Sequence, residues 1–246
     1  MGLLDGQVAL ITGAGSGIGL ATATAFAREG CRVGLVGRRE GPLQDAVREI
    51  GDGCVALPAD VSDPRAAQTV VDDVVARWGR LDVLVNNAGV NVPERSTATV
   101  SVQDWARVLD INLTGTFLMT RAALPTMRAQ GSGTVLNVSS YAGWRAMPLT
   151  GPAYSAAKAG VNSFTETLNL TERQHGVRAC AVCPGEVATP ILEQRPVPPS
   201  AQARAAMLQP EDLARTLLFL AGLPQRVAIE LVTMAPTVQR DWTAEL

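Results

Sequence analysis

The run VALITGAGSGIGLATATAFAREG, Val8–Gly30, decides the fold. Its first four residues, Val8–Ile11, are apolar and do not alternate with polar ones, the pattern of a strand covered on both faces. Gly13, Gly17 and Gly19 then follow in the spacing TGxxxGxG and lead into a helix that runs to about Gly30. Glycines there let the backbone turn tightly and approach an anion seated on the helix N-terminus, where free N–H groups and the helix dipole favour negative charge. A glycine turn by itself is often only a steric need. Its place between a strand and a helix makes a pyrophosphate the expected occupant.

Working outward, six more short apolar runs recur: RVGLV (Arg32–Val36), CVALPA (Cys54–Ala59), DVLVN (Asp82–Asn86), TVLNVS (Thr134–Ser139), RACAVC (Arg178–Cys183) and ELVTM (Glu230–Met234). Stretches with helical spacing separate them, including the stripes Val102, Trp105, Leu109, Leu113 and Val161, Phe164, Leu168. One further helix starts at Pro210, carries Glu211 and Asp212 in its first turn and ends at Gly222 and Pro224. Strand and helix in alternation imply right-handed crossovers and a doubly wound α/β sheet of about seven parallel strands with helices on both faces. With no internal repeat and no linker, residues 1–246 read as one domain. The proline cluster RPVPPS (Arg195–Ser200) follows the sixth strand, where it reads as a stiff connection or a substrate-side loop.

Composition narrows the partners. The chain is 47% hydrophobic with a net charge of −2, and no basic stripe suggests nucleic acid or an anionic membrane. No apolar stretch near the N-terminus suits a signal peptide or a membrane span, so a cytoplasmic location is expected; Gly6 stands where a myristoylation motif wants Ser or Thr. Cys180 and Cys183 form the one CxxC, inside an apolar strand, and the single histidine, His175, cannot complete a metal site with them, so no metal is expected. His175 in RQHGV reads as a helix-end cap, which weakens any Ser-His-Asp hydrolase reading.

Further motifs stand at the strand ends. Asp60 and Val61 follow the third run, NNAG (Asn86–Gly89) closes the fourth, and Asn112 lies on the next helix. Ser140 closes NVSS, Tyr154 and Lys158 frame YSAAK, and PGEVAT (Pro184–Thr189) follows the sixth run. With the glycine turn, this ordered set resembles the classical short-chain dehydrogenase/reductase family, in its NADP-preferring branch. The resemblance implies a Rossmann-type fold and hydride transfer between a nicotinamide dinucleotide and a small-molecule carbonyl or alcohol. It implies Asn112, Ser140, Tyr154 and Lys158 as catalytic residues. It places the cofactor against Gly13, Ser16, Gly17, Ile18 and Gly19, then Asp60 and Val61, then Asn87, Ala88 and Gly89, then Tyr154 and Lys158, and finally Pro184, Gly185, Val187 and Thr189. It also implies a homo-oligomer, a tetramer or a dimer, through the helices carrying Asn112 and Tyr154, where Trp105, Leu109, Phe117, Phe164 and Leu168 supply apolar surface.

The chemistry accounts for these residue types. Tyr154 and Lys158 are four apart and share a helix face. A tyrosine, ordinarily titrating near ~10, becomes a usable acid and base when a lysine cation and a positive nicotinamide ring favour its phenolate. Ser140 would stabilise the developing alkoxide by a hydrogen bond. The resemblance gives Asn112 a water that links Lys158 to solvent.

Departures from the family pattern locate specificity. Ser140 stands 14 residues before Tyr154, one more than the common spacing, so the loop with Tyr141, Trp144, Arg145 and Met147 is expected to be reshaped. Cys183 replaces a frequent Asn, and Glu186 brings a charge near the expected nicotinamide. Trp144, Met147, Ile191 and Leu192 suggest a hydrophobic or aromatic substrate. The end, ELVTMAPTVQRDW, lacks the aspartate and paired glycines of many members. For the cofactor, GLVGRRE places Gly37 where an NAD-specific site needs an acid, followed by Arg38 and Arg39, which suit a 2′-phosphate; Ser16 could add a neutral donor. NADP(H) is therefore expected. NAD(H)-dependent alcohol oxidation and a non-catalytic dinucleotide sensor are the alternatives.

Overall fold

The computed structural model describes residues 2–145 and 147–239. Seven strands, β1 (Val8–Thr12), β2 (Arg32–Gly37), β3 (Cys54–Pro58), β4 (Val83–Asn86), β5 (Gly133–Val138), β6 (Val177–Pro184) and β7 (Leu231–Met234), lie in the order β3-β2-β1-β4-β5-β6-β7. Every neighbouring pair is parallel. The helices are α1 (Gly17–Arg28), α2 (Glu40–Ile50), α3 (Pro64–Trp78), α4 (Val102–Leu109), α5 (Gly115–Gln130), α6 (Tyr141–Trp144), α7 (Pro152–Glu172), α8 (Ala201–Ala205) and α9 (Pro210–Gly222). Alternate residues of one strand feed two cores. Ala9 and Ile11 join Phe26, Leu43 and Leu213 of α1, α2 and α9, whereas Val8 and Leu10 join Val70, Met119 and Leu168 of α3, α5 and α7. Both faces being covered explains why the strands read as unbroken apolar runs.

Polar groups appear in this interior where they fasten helices to the sheet. Asn86 and Asn137 are register partners on β4 and β5. Asn86 Nδ2 donates to Thr120 Oγ1 on α5 at 3.0 Å and to Asn137 Oδ1 at 2.8 Å, and Asn137 Nδ2 donates to Thr165 Oγ1 on α7 at 2.8 Å. The bonds to Thr120 and Thr165, formed out of water, hold α5 and α7 at fixed heights on the sheet, and the Asn86–Asn137 bond joins the two strands between them.

Between α4 and α5 the helix widens into a π-turn, Asp110–Thr114, centred on Asn112. Asn112 Nδ2 donates to the Val108 carbonyl at 2.8 Å, the acceptor four residues back that its own N–H would use in a regular α-helix. The same Nδ2 reaches the Val90 carbonyl at 2.9 Å, and Asn112 Oδ1 accepts from Val90 N at 3.2 Å. The widened turn thus pins the segment that leaves β4.

The apolar residues expected on the outer helices divide. Leu168 is in the core and Leu109 is half-buried against Val108, because the helical period turns them toward neighbouring elements. Trp105 and Phe117 are 37% and 42% exposed, and Val102 and Leu170 reach 79% and 78%. Phe117 meets the half-buried Phe164 edge-on, with ring centroids 6.0 Å apart. No helix among the described residues is long and apolar enough to cross a membrane, and no group of three or more His, Cys, Asp or Glu among them could hold a metal ion. The ELVTMAPTVQRDW pattern extends beyond the described residues, which stop at 239.

Arg178 on β6 is 6% exposed and closes the end of α9. Its guanidinium donates to the carbonyls of Leu220, Ala221, Leu223, Pro224 and Val227, and to Thr134 Oγ1. Carbonyls that a helix leaves without partners at its C-terminus are satisfied by one cation placed where the helix dipole favours it. Arg178→Met, which keeps most of the volume, is expected to destabilise by about 3 kcal/mol and lower Tm by roughly 6–12 °C in calorimetry. A shift within about 2 °C would show that the cap contributes little.

Candidate active site

A cleft of about 540 Å³ runs along the carboxyl ends of the central strands, across the point between β1 and β4 where the strand order reverses. Gly13, in the turn leaving β1, has φ +66°, and a Cβ there would lie 2.9 Å from Asn87 Nδ2 and 3.0 Å from Ala88 Cα. A Cβ on Gly19 would stand 2.3 Å from the Gly13 carbonyl oxygen. The spacing of the glycines is therefore set by how closely the turn, α1 and the end of β4 approach one another. Ser16 caps α1 without a side-chain hydrogen bond to the helix and lines the cleft. This N-terminus, with its Ser16 hydroxyl uncommitted to the cap, fits a pyrophosphate.

At one end of the cleft stand Gly37, Arg38, Arg39, Asp60 and Val61. The Asp60 carboxylate accepts from Ser62 N at 2.9 Å and Ser62 Oγ at 2.7 Å. Burial works to raise its pKa, but these bonds and the charge of Arg38 outweigh it and hold the group below the usual range. Gly37 offers no side chain, and both arginines are exposed at the rim.

Ser140, Tyr154 and Lys158 meet further along the cleft. Ser140 ends β5's connection and caps α6, its Oγ accepting from Ala142 N at 3.1 Å. Tyr154 and Lys158 lie one turn apart on α7, and the Lys158 ammonium sits 5.6 Å from the tyrosine ring centroid. Lys158 is 4% exposed and donates to the Val138 carbonyl at 2.8 Å. Gly89 lies between, where a Cβ would be 2.7 Å from Asn112 Oδ1 and 3.7 Å from Lys158 Nζ.

Burial pushes the Tyr154 phenol up to about 12, opposed by a hydrogen bond with Ser140 and by the charge of Arg95. Burial pulls the Lys158 ammonium down to about 8, opposed by Cys183. The sequence led us to expect Lys158 to lower the tyrosine. In the structure its ammonium donates to the Val138 carbonyl while standing 5.6 Å from the ring centroid, and the charge of Arg95 also works to lower the phenol.

Most residues named from the sequence line this cleft. Gly13, Ser16, Gly17 and Ile18 do, as do Asn87, Ala88 and Gly89, and Pro184, Gly185, Val187 and Thr189. On the substrate side, Tyr141, Met147, Glu186, Ile191 and Leu192 line it as well. Gly19 and Asn112 are not in its lining, although both hold its floor from beneath. Trp144 and Arg145 also stay outside it. Trp144 is 42% exposed, with the Arg145 guanidinium stacked 4.1 Å over its ring and Tyr141 edge-on at 5.4 Å. The short α6 and the residue after it turn both outward, and among the described residues of the loop it is Tyr141, Met147, Leu149 and Thr150 that line the cleft.

The sequence reading missed Arg95 and Arg195. Arg95 Nε donates to the Val92 carbonyl at 2.8 Å, Nη1 to the Leu149 carbonyl at 3.3 Å and Nη2 to the Gln194 carbonyl, tying together three segments from distant parts of the chain. Arg195 Nη1 meets Glu186 Oε1 at 2.8 Å, with side chains only 9% and 13% exposed. The available signal was positional: Arg95 follows NNAG closely, and Arg195 opens the proline cluster after β6, both at carboxyl ends of strands.

Comparison with known proteins agrees with this arrangement. The short chain dehydrogenase family model matches residues 7–197. A 3-oxoacyl-[acyl-carrier-protein] reductase from Synechocystis sp. is 40% identical over 231 residues, covering 91% of this chain and 92% of that protein. The crystal structure of a 3-ketoacyl-(acyl-carrier-protein) reductase from Brucella melitensis complexed with NADH has a TM-score of 0.88 at 31% identity, covering 95% of this chain and 98% of that one. A closed form of serine dehydrogenase complexed with NADP+ reaches 0.89 at 31% identity, covering 96% and 97%. Given that match over residues 7–197, on a chain whose glycine turn and Ser140, Tyr154 and Lys158 share one cleft, the protein belongs to the short-chain dehydrogenase family.

Proposed function

We propose that the protein is an NADP(H)-dependent oxidoreductase that interconverts a ketone and a secondary alcohol with Tyr154 as the acid and base. The observation carrying this reading is that Ser140, Tyr154 and Lys158 line the same cleft as the glycine turn and the Arg38–Arg39 rim. The nicotinamide, when bound, supplies or accepts the hydride. Ser140 Oγ accepts from Ala142 N and is hydrogen-bonded with Tyr154, so its hydroxyl hydrogen is shared between the phenol and the substrate oxygen. In reduction Tyr154 gives its proton to that oxygen; in oxidation it takes the hydroxyl proton back. Lys158 reprotonates the tyrosine side of the site, with Asn112 holding the adjoining segment in place through Val90.

The choice of NADP(H) over NAD(H) rests on the end of β2. Gly37 brings no carboxylate to bond the ribose hydroxyls or repel a phosphate, and two guanidinium groups follow. Two further properties belong to this reading. The exposed Val102, Trp105, Phe117 and Leu170 on α4, α5 and α7 form the face of a homo-oligomer. Cys31, Cys54, Cys180 and Cys183 are all free thiols, as suits a reducing cytoplasm.

Tyr154→Phe should lower turnover by roughly a hundred- to ten-thousandfold while leaving cofactor affinity almost unchanged, whereas Lys158→Ala should damage both. Substantial residual activity in the phenylalanine variant would remove Tyr154 from its role. Arg38→Ala should weaken NADPH binding about ten- to a hundredfold by titration calorimetry and hardly alter NADH binding. Equal loss for both cofactors would show that the 2′-phosphate is not read there. Light scattering at micromolar concentration should give a dimer or tetramer, and a monomer would exclude the helical face as an interface.

A further inference from the structure

Beyond Ser140 and Tyr154, away from the glycine turn, the described residues lining the cleft include two arginines and one carboxylate. Arg95 comes from the segment after β4, and Glu186 and Arg195 come from the loop after β6. Glu186 pairs with Arg195 at 2.8 Å. Arg95, half-buried, has only main-chain carbonyls as its hydrogen-bond partners among the described residues. Carbonyl oxygens satisfy N–H groups without neutralising a cation, so among the described residues the half-buried Arg95 guanidinium has no carboxylate at hydrogen-bond distance. A guanidinium has five N–H donors; the three bonds of Arg95 use one on each nitrogen and leave one on each terminal nitrogen. That pair matches the two oxygens of a carboxylate.

Two electrostatic couplings locate this surplus. Burial pulls the Arg95 guanidinium down to about 10, the charge of Arg195 adds to that, and Tyr154 opposes it. Arg95 therefore feels both the second arginine and the reacting phenol. The cofactor phosphates are expected at the N-terminus of α1, at the other end of the cleft, and do not answer this charge.

We propose that the substrate carries a free carboxylate close to its reacting carbon, as in a short 2- or 3-oxo acid or the matching hydroxy acid, and that Arg95 with Arg195 receives it. The apolar Met147, Ile191 and Leu192 then take the hydrocarbon part, so the hydrophobic wall read from the sequence is kept but does not define the substrate. This proposal rests on the oxidoreductase reading above and names its substrate class. Arg95 and Arg195 are positioning residues for the acid group, distinct from the proton-transfer pair.

The test compares short oxo acids with their methyl esters, and acetoacetate with methyl acetoacetate first, following NADPH oxidation by the full-length enzyme. The acids should be preferred in kcat/KM by about tenfold or more, with the difference mainly in KM. In Arg195→Gln the acid-over-ester ratio should fall toward one. Arg95→Gln should do the same, and because Arg95 also ties three segments together, Arg95→Lys, which keeps the charge, should retain part of the preference. A structural defect alone would lower both substrates and leave their ratio unchanged, and that result would overturn the proposal. Esters or neutral aryl ketones turned over as well as the acids would overturn it too, while leaving the oxidoreductase reading intact. Absence of NADPH oxidation with acids, esters and neutral ketones alike would instead sink the oxidoreductase reading on which it rests.

Discussion

The Thr12 hydroxyl accepts hydrogen bonds from the main-chain N–H groups of Asn87 and Ala88, at 2.9 and 3.0 Å, and the Asn87 side chain donates back to the Thr12 carbonyl at 3.0 Å. This exchange joins the carboxyl ends of β1 and β4 at the reversal of the sheet, and the cleft opens above it. It demands a backbone approach too close for any side chain at Gly13 or Gly19. The position of Gly89 over Asn112 and Lys158 follows from the same junction. A glycine-rich turn in this setting is the condition for bringing two strand ends, one helix N-terminus and Lys158 into one space.

Within that space, burial decides the behaviour of the ionisable groups. It raises the Tyr154 phenol and lowers both the Lys158 ammonium and the Arg95 guanidinium. Burial thus favours the neutral phenol and works against the charged ammonium. Positive charge brought close to the phenol shifts the balance toward phenolate. Arg95 already supplies some of that influence from the substrate side.

How much of this was legible in the sequence depended on whether a local pattern had one structural meaning. The apolar runs did, because a parallel sheet covered on both faces leaves few other ways to bury VALIT or DVLVN, and the observed strands differ from them by a residue or two at their ends. The residues that share the cleft were legible through spacing, as with Tyr154 and Lys158 one helical turn apart. Orientation was not. Trp144 looked like a substrate contact, yet the four-residue α6 turns it outward, and Leu168 looked like interface until the helix phase placed it in the core. Arg95 escaped notice because its partners are carbonyls at positions 92, 149 and 194, a convergence created by tertiary folding that no local pattern encodes.

The three-way tie at Arg95 also governs how the cleft can breathe. The segment after β4, the turn Pro148–Thr150 before α7 and the turn Pro190–Gln194 after β6 are each held to the same guanidinium. None of them can swing far without surrendering a bond to a shared hub, so their motions are correlated rather than independent. The bond to the Gln194 carbonyl is the one that an outward movement of the β6 loop would break, and the stiff prolines that follow favour rotation of that loop as a piece. Because the Asn91 N–H also donates to Gln194 Oε1 at 3.1 Å, the loop after β6 is fastened to the segment after β4 at two points, and loosening it requires both to open together.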